Sequence, residues 1–182
     1  MLNYGLPHSV LRAGRWFTQS GIQEASGGVA RYYRSDLGAN HTVSTEITGY
    51  AVSAFVYLHT IARETEYFEG VLRAARFLAR TAWDAASRAM PFELRPPAFA
   101  YFFDCGIAVR GLLSAWRLTG EREFLEVASA LGESMAVDFA REGGGYHAVL
   151  SLPEKRPVRA MPSRMAAAQR SSPARGSSPS RK

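Results

Sequence analysis

A single cysteine, Cys105, stands among the 182 residues. It excludes an internal disulfide and a thiolate metal cluster, and it removes any argument for an oxidising compartment. No HExxH, paired CxxC, Walker loop or GxSxG motif occurs, so metal, nucleotide and serine-hydrolase chemistry have nothing to rest on and no cofactor is expected. The amino terminus, MLNYGLPHSVLRAGRWF, lacks a basic segment followed by an apolar run and a small-residue cleavage site. The long uncharged run from Ile47 to Ala62 is 16 residues and includes Thr48, Ser53, His59 and Thr60, too short and too polar to span a membrane. These absences together point to a soluble, cytoplasmic protein.

Positive charge is missing where a nucleic-acid surface would need it. The net charge is +6, but eight Lys/Arg against one acid lie between Pro153 and Lys182. Residues 1–152 therefore carry 14 basic and 15 acidic side chains, and no nucleic-acid partner is expected for them. The segment 153–182 is rich in Ser, Ala, Arg and Pro, with almost nothing to bury, and is expected to be a disordered basic tail. An electrostatic arm, or a non-native end from out-of-frame translation of GC-rich DNA, would give the same composition. Residues 1–152, within a chain that is 47% apolar, are enough for one domain with a real core.

What is present in abundance is repetition. Shifted by 57 positions, Gly49-Tyr50-Ala51-Val52 falls on Gly106-Ile107-Ala108-Val109, and Glu66-Tyr67-Phe68-Glu69 falls on Glu123-Phe124-Leu125-Glu126. VLRAGRWFTQS at 10–20 also matches VLRAARFLART at 71–81. Each unit reads as a helical hairpin. Its first helix, 45–62 and again 104–118, is apolar almost all round, the mark of a helix covered on both flanks. Its second helix, about 66–88 and again 122–140, has one charged stripe, in the first case Glu66, Glu69, Arg73, Arg76, Arg80, Asp84 and Arg88, which reads as a solvated face. Inner and outer helices alternating along the chain make a curved two-layer array, all-α, with no sheet beyond short loop pairings.

The connections alternate too. Inner helices lead to outer ones through short turns, and outer helices lead on through long segments at 21–44, 89–103 and from Arg141. All the long segments fall at one end of such an array, which makes that end the place for a site. They collect Arg31, Tyr32, His41, Tyr101, Tyr146 and His147, with Tyr50 just inside the first inner helix. Aromatic rings among guanidinium and carboxylate groups suit a sugar, which offers apolar C–H faces and a rim of hydroxyls.

At the level of these repeats, GGVARYY, STEITGYAVSAFVYLH, YFFDCGIAVRGLLSAWRLTGEREFLEVA and GGGY resemble the six-hairpin (α/α)6 toroids related to glycoside hydrolases, with sugar epimerases and polysaccharide lyases of the same architecture. The resemblance covers about residues 8–150. It implies a partial α/α toroid whose inner helices surround a cavity, and a carbohydrate-active function, glycoside hydrolysis or sugar epimerisation, with a carbohydrate substrate. A closed ring of six such units needs on the order of 340 residues, and about two and a half are present, so the chain is expected to be an arc and a fragment. A non-catalytic, partner-binding piece of helical repeat, or an inactive remnant of a longer enzyme, is the alternative. An open arc also leaves apolar flanks, here Val10, Leu11, Phe17 and the inner face of 104–118, that invite self-association.

Two carboxylates stand out. Glu46 and Asp104 each occupy the first turn of an inner helix, within one position of each other under the 57-residue shift. A helix-start role, with Ser44 or Thr45 as cap, explains both. A catalytic acid–base role is the alternative if they face the cavity, since adjacent helices roughly 8–10 Å apart are compatible with the carboxyl spacing of an inverting glycosidase without being diagnostic of it. His41 and His147 could form an acid–base pair of an epimerase, whereas His59 is expected to be a hydrogen-bonded core residue and Cys105 a small buried thiol.

Overall fold

A computed structural model describes residues 8–158 of the chain. Five helices run in order: α1 (His8–Gln19), α2 (Thr45–Ala62), α3 (Thr65–Arg76, continued by a π-helical turn Phe77–Ala82), α4 (Phe102–Thr119) and α5 (Arg122–Asp138). Two short strands, β1 (Tyr33–Arg34) and β2 (Ala39–Asn40), pair antiparallel in the first long segment. Three more, β3 (Phe99–Tyr101), β4 (Val149–Ser151) and β5 (Arg156–Pro157), form an antiparallel sheet in which Ala100 faces Leu150 and Leu150 faces Pro157.

The inner layer is α2 against α4, and glycine permits their approach. A Cβ on Gly49 would lie 2.9 Å from the Ile107 carbonyl oxygen, and one on Gly111 would lie 2.7 Å from the Gly49 carbonyl oxygen. Backbone cannot retreat as a side-chain tip can, so any larger residue there would force the helices apart. Outward, α2 buries Val52 and Phe55, with the Phe55 ring lying over Gly70 of α3. The outer helix α5 buries Phe124, Ala128 and Leu131, and α4 buries Ala108 and Leu112. The hairpin turns end in left-handed residues: Gly120 at φ 73, whose N–H donates to Trp116 O, and Arg63 at φ 60, whose N–H donates to His59 O. Glycine adopts this conformation freely, while Arg63 carries a local cost of about 1 kcal/mol that the surrounding packing offsets.

Four expectations change on contact with the structure. The outer helix expected over 66–88 ends at Ala82, and its charged stripe does more than face solvent: Arg76, Arg80 and, in the turn that follows, Arg88 reach Glu121, Glu123 and Glu133 at 2.9, 2.8 and 2.6 Å, tying one hairpin to the next. Val10 and Phe17 are partly buried rather than bare: Phe17 meets Phe55 edge-on at 4.7 Å, and the large exposed side chains on this flank are Trp16 and Tyr57. His59, in the last helical turn of α2, is half-buried against Phe68 rather than in the core, with Nδ1 3.1 Å from Glu64 O. Finally, ordered structure continues past residue 152. β5 completes the free edge of β4, and Lys155 Nζ lies 2.5 Å from Asp138 Oδ2 and 3.2 Å from Arg88 O, so 153–158 belong to the domain. The remainder of the expected tail, 159–182, lies outside the described residues, as do 1–7. Among the described residues no helix is long and apolar enough to cross a membrane.

Candidate acid–base site at the open end of the inner helices

The first turn of α2 is anchored by neighbours other than Glu46. Ser44 is its cap, with Oγ accepting from the Ile47 N–H at 3.3 Å. Thr45 donates from its backbone N–H to Phe92 O and from Oγ1 to Pro91 O, each at 3.0 Å. The Val29 N–H donates to Thr48 Oγ1 at 2.9 Å, so both long segments are stitched to this helix start. Glu46 is thereby left half-buried with no capping duty. At α4, Tyr101 is the N-cap residue without a side-chain capping bond, and the Phe102 N–H donates to Ala148 O at 3.0 Å.

Asp104, in the first turn of α4, is the perturbed group. Its carboxyl is raised from 3.8 to about 7, chiefly by burial, then by the negative charge of Glu46, with the Arg31 guanidinium pulling the other way. A helix N-terminus ordinarily lowers such a pKa. Here desolvation and a like charge outweigh it, and the carboxyl exchanges its proton near neutrality. The neighbouring Cys105 is buried, and burial followed by the Asp104 charge pushes its thiol up to about 12, which keeps it protonated and unreactive.

Arg31 is held by the second long segment. Its guanidinium carbon sits 4.9 Å from the Phe92 ring centroid and its Nη1 lies 3.2 Å from Glu93 Oε1. The other oxygen of Glu93 accepts from Arg95 Nε at 2.8 Å. Tyr101 meets Phe92 edge-on at 5.5 Å, which places Arg31, Phe92 and Tyr101 in one cluster. Tyr32 and His41 form a separate stack beside the β1–β2 pair, with centroids 4.6 Å apart, and His41 Nδ1 is buried without a hydrogen-bond partner. Tyr146 stacks at 4.6 Å on Phe102, the first residue of α4, and the His147 N–H donates to Phe139 O at 2.7 Å. Tyr50, one helical turn beyond Glu46, has the Arg110 guanidinium 5.2 Å from its ring centroid. Glu46 and Arg31 thus act on Asp104 through their charges, and the Tyr101 cluster joins Arg31 through Phe92. The Tyr32–His41, Tyr146–Phe102 and Tyr50–Arg110 pairs are separate contacts around them.

Glu93, Arg95 and Arg110 are absent from the sequence-based set. Arg110 had a visible signal, being the one charge between Asp104 and Arg117 in an otherwise apolar helix. Glu93, in the loop PFELRPP, had none, since its burial arises only when the segment folds against α2. Among the described residues no group of three or more His, Cys, Asp or Glu is arranged to hold a metal ion.

Solved structures align with this arrangement of hairpins. A sugar epimerase from a ruminal bacterium superposes with a TM-score of 0.69 at 16% identity, over 80% of this chain and 38% of its own. The cellobiose 2-epimerase of Spirochaeta thermophila gives 0.68 at 20% identity, over 80% and 38%. A D-mannose isomerase gives 0.65 at 13% identity, over 84% and 43%. The fold is an arc of an α/α toroid. The chain spans about two-fifths of the length of these enzymes, and at such identities the likeness concerns the fold alone. No family model matches the chain, and no curated protein sequence matches it.

Proposed function

We propose that this chain contributes one wall of a carbohydrate-active site that works by acid–base catalysis, with Asp104 as the proton-exchanging group and Glu46 as the charge that sustains its proton affinity. The observation that carries the reading is the Asp104 carboxyl at about 7 beside Glu46, at the aromatic-rich end of the inner helices. A group poised near the working pH is half protonated and can serve as acid or base in the same cycle. Sugar epimerisation requires that pair of acts: a proton leaves the carbon next to a carbonyl and another returns to the opposite face. Glycoside hydrolysis requires an acid for the leaving oxygen and a second carboxylate, which the same pair also offers. The similar folds named above are epimerases and an isomerase, which favours epimerisation. Tyr32, Tyr50, Tyr101 and Tyr146 are the proposed ring platforms, and Arg31, His41 and His147 the proposed hydroxyl partners.

A piece that fills about two-fifths of a ring leaves the opposite wall to other polypeptide, so binding is a better first test than turnover. The full chain is titrated with glucose, mannose and cellobiose and followed by NMR, in parallel with Asp104→Asn. Perturbations centred on Arg31, Glu46, Asp104 and Tyr101, weakened in the variant, are expected. Sugars that perturb none of these positions would overturn the proposal and favour the non-catalytic, partner-binding reading, to which the exposed Trp16, Tyr57, Phe103 and Val137 lend support.

A further inference from the structure

We propose that Glu93 is a positioning residue for this site, clamping the Arg31 guanidinium over the Phe92 ring and so fixing one positive charge beside the Glu46–Asp104 pair. The inference rests on the acid–base reading given above and adds a residue whose role is to hold Arg31. Its side chain is only 9% exposed, and its two oxygens are divided between two cations: Arg31 Nη1 on Oε1 at 3.2 Å and Arg95 Nε on Oε2 at 2.8 Å. A carboxylate so buried is retained where its charge is matched, and Arg95, half-exposed, holds it from the solvent side while Arg31 receives it from the site side. The segment that carries Glu93 is itself immobilised, since Phe92 O accepts from the Thr45 N–H at 3.0 Å and the Phe92 N–H donates to Phe99 O at 2.8 Å. The clamp is therefore built on the same backbone that anchors α2, and the geometry of Arg31 is inherited from it.

The charges acting on Asp104 come from two elements, Glu46 of α2 and Arg31 of the first long segment, with the protonated Cys105 thiol adjacent on α4. With its charge shared by Glu93, Arg31 only tempers the rise at Asp104. Without that partner, the guanidinium charge would act undivided on Asp104 and draw its proton off.

The test is carboxyl NMR titration of the full chain with no sugar present. Glu93→Gln should lower the Asp104 midpoint by about one pH unit, roughly a tenfold loss of proton affinity. Arg31→Ala should raise it. In the Arg31→Ala background, adding Glu93→Gln should change nothing further, because Glu93 acts through Arg31; this double variant leaves no unpaired buried charge and serves if the single one fails to fold. An unchanged midpoint in Glu93→Gln, or a shift that persists without Arg31, would overturn the inference. Because the readout needs no ligand, a failure of sugar binding would count against the proposed function and not against the clamp.

Discussion

Replacing Asp104 with Asn should stabilise the protein at neutral and alkaline pH while removing any proton-transfer activity. In the wild type the carboxyl rises from 3.8 to about 7 on folding. Taken at face value, that difference corresponds to about 4 kcal/mol. The side chain is only half-buried, and solvent screening reduces the figure to roughly 2 kcal/mol. The sign follows from linkage: a group that binds its proton more tightly when folded contributes stability fully present below pH 3.8, which is lost progressively as pH rises through about 7. Asparagine remains neutral throughout, so the variant should keep the acid-limb stability. Urea unfolding at pH 5, 7 and 8.5 is the assay, with Trp83 and Trp116, both half-buried, as fluorescent reporters. Wild type should lose on the order of 1 kcal/mol across that range and the variant almost none of it, with the melting temperature of Asp104→Asn higher by about 4–8 °C at pH 8.5. Equal pH slopes, or a variant less stable than wild type at pH 8.5, would refute the reasoning and return Asp104 to a plain helix-start role.

Gly49→Ala and Gly111→Ala should each cost roughly 1–3 kcal/mol, because the new methyl meets backbone on the facing helix, while Gly106→Ala, whose Cβ would meet only Met135 Cε at 3.5 Å, should be neutral or slightly stabilising; thermal melts decide. A chain ending at Leu152 should be less stable than one ending at Val158 by roughly 1–3 kcal/mol, since it loses β5 and the Lys155–Asp138 pair, and equal denaturation midpoints would return 153–158 to the tail. The full chain should self-associate at micromolar concentration through its open flanks, and Trp16→Arg with Tyr57→Glu should weaken this in sedimentation; a compact monomer with a sharp melt would show that the arc is self-sufficient.

The helices were legible in the sequence because their signals are local. Apolar residues without a polar stripe gave α2 at 45–62, and the 57-residue shift carried the same reading to α4, whose observed start, Phe102, lies two residues before the expected one. Gly120 marked its turn because only a left-handed residue closes that helix end. The burial of Cys105 follows from the same pattern. Tertiary structure alone decided the rest. Whether Asp104 is a cap or an acid depends on how much water its carboxyl loses and on which charges stand nearby, and those charges, Glu46 and Arg31, are 58 and 73 positions away in the chain. Glu93 became a buried partner of two arginines, and Lys155 a clamp on Asp138, through contacts 62 and 17 residues apart that leave no periodic trace. Periodicity reports which face of an element is covered; through-space electrostatics reports what covers it, and no spacing along the chain encodes that.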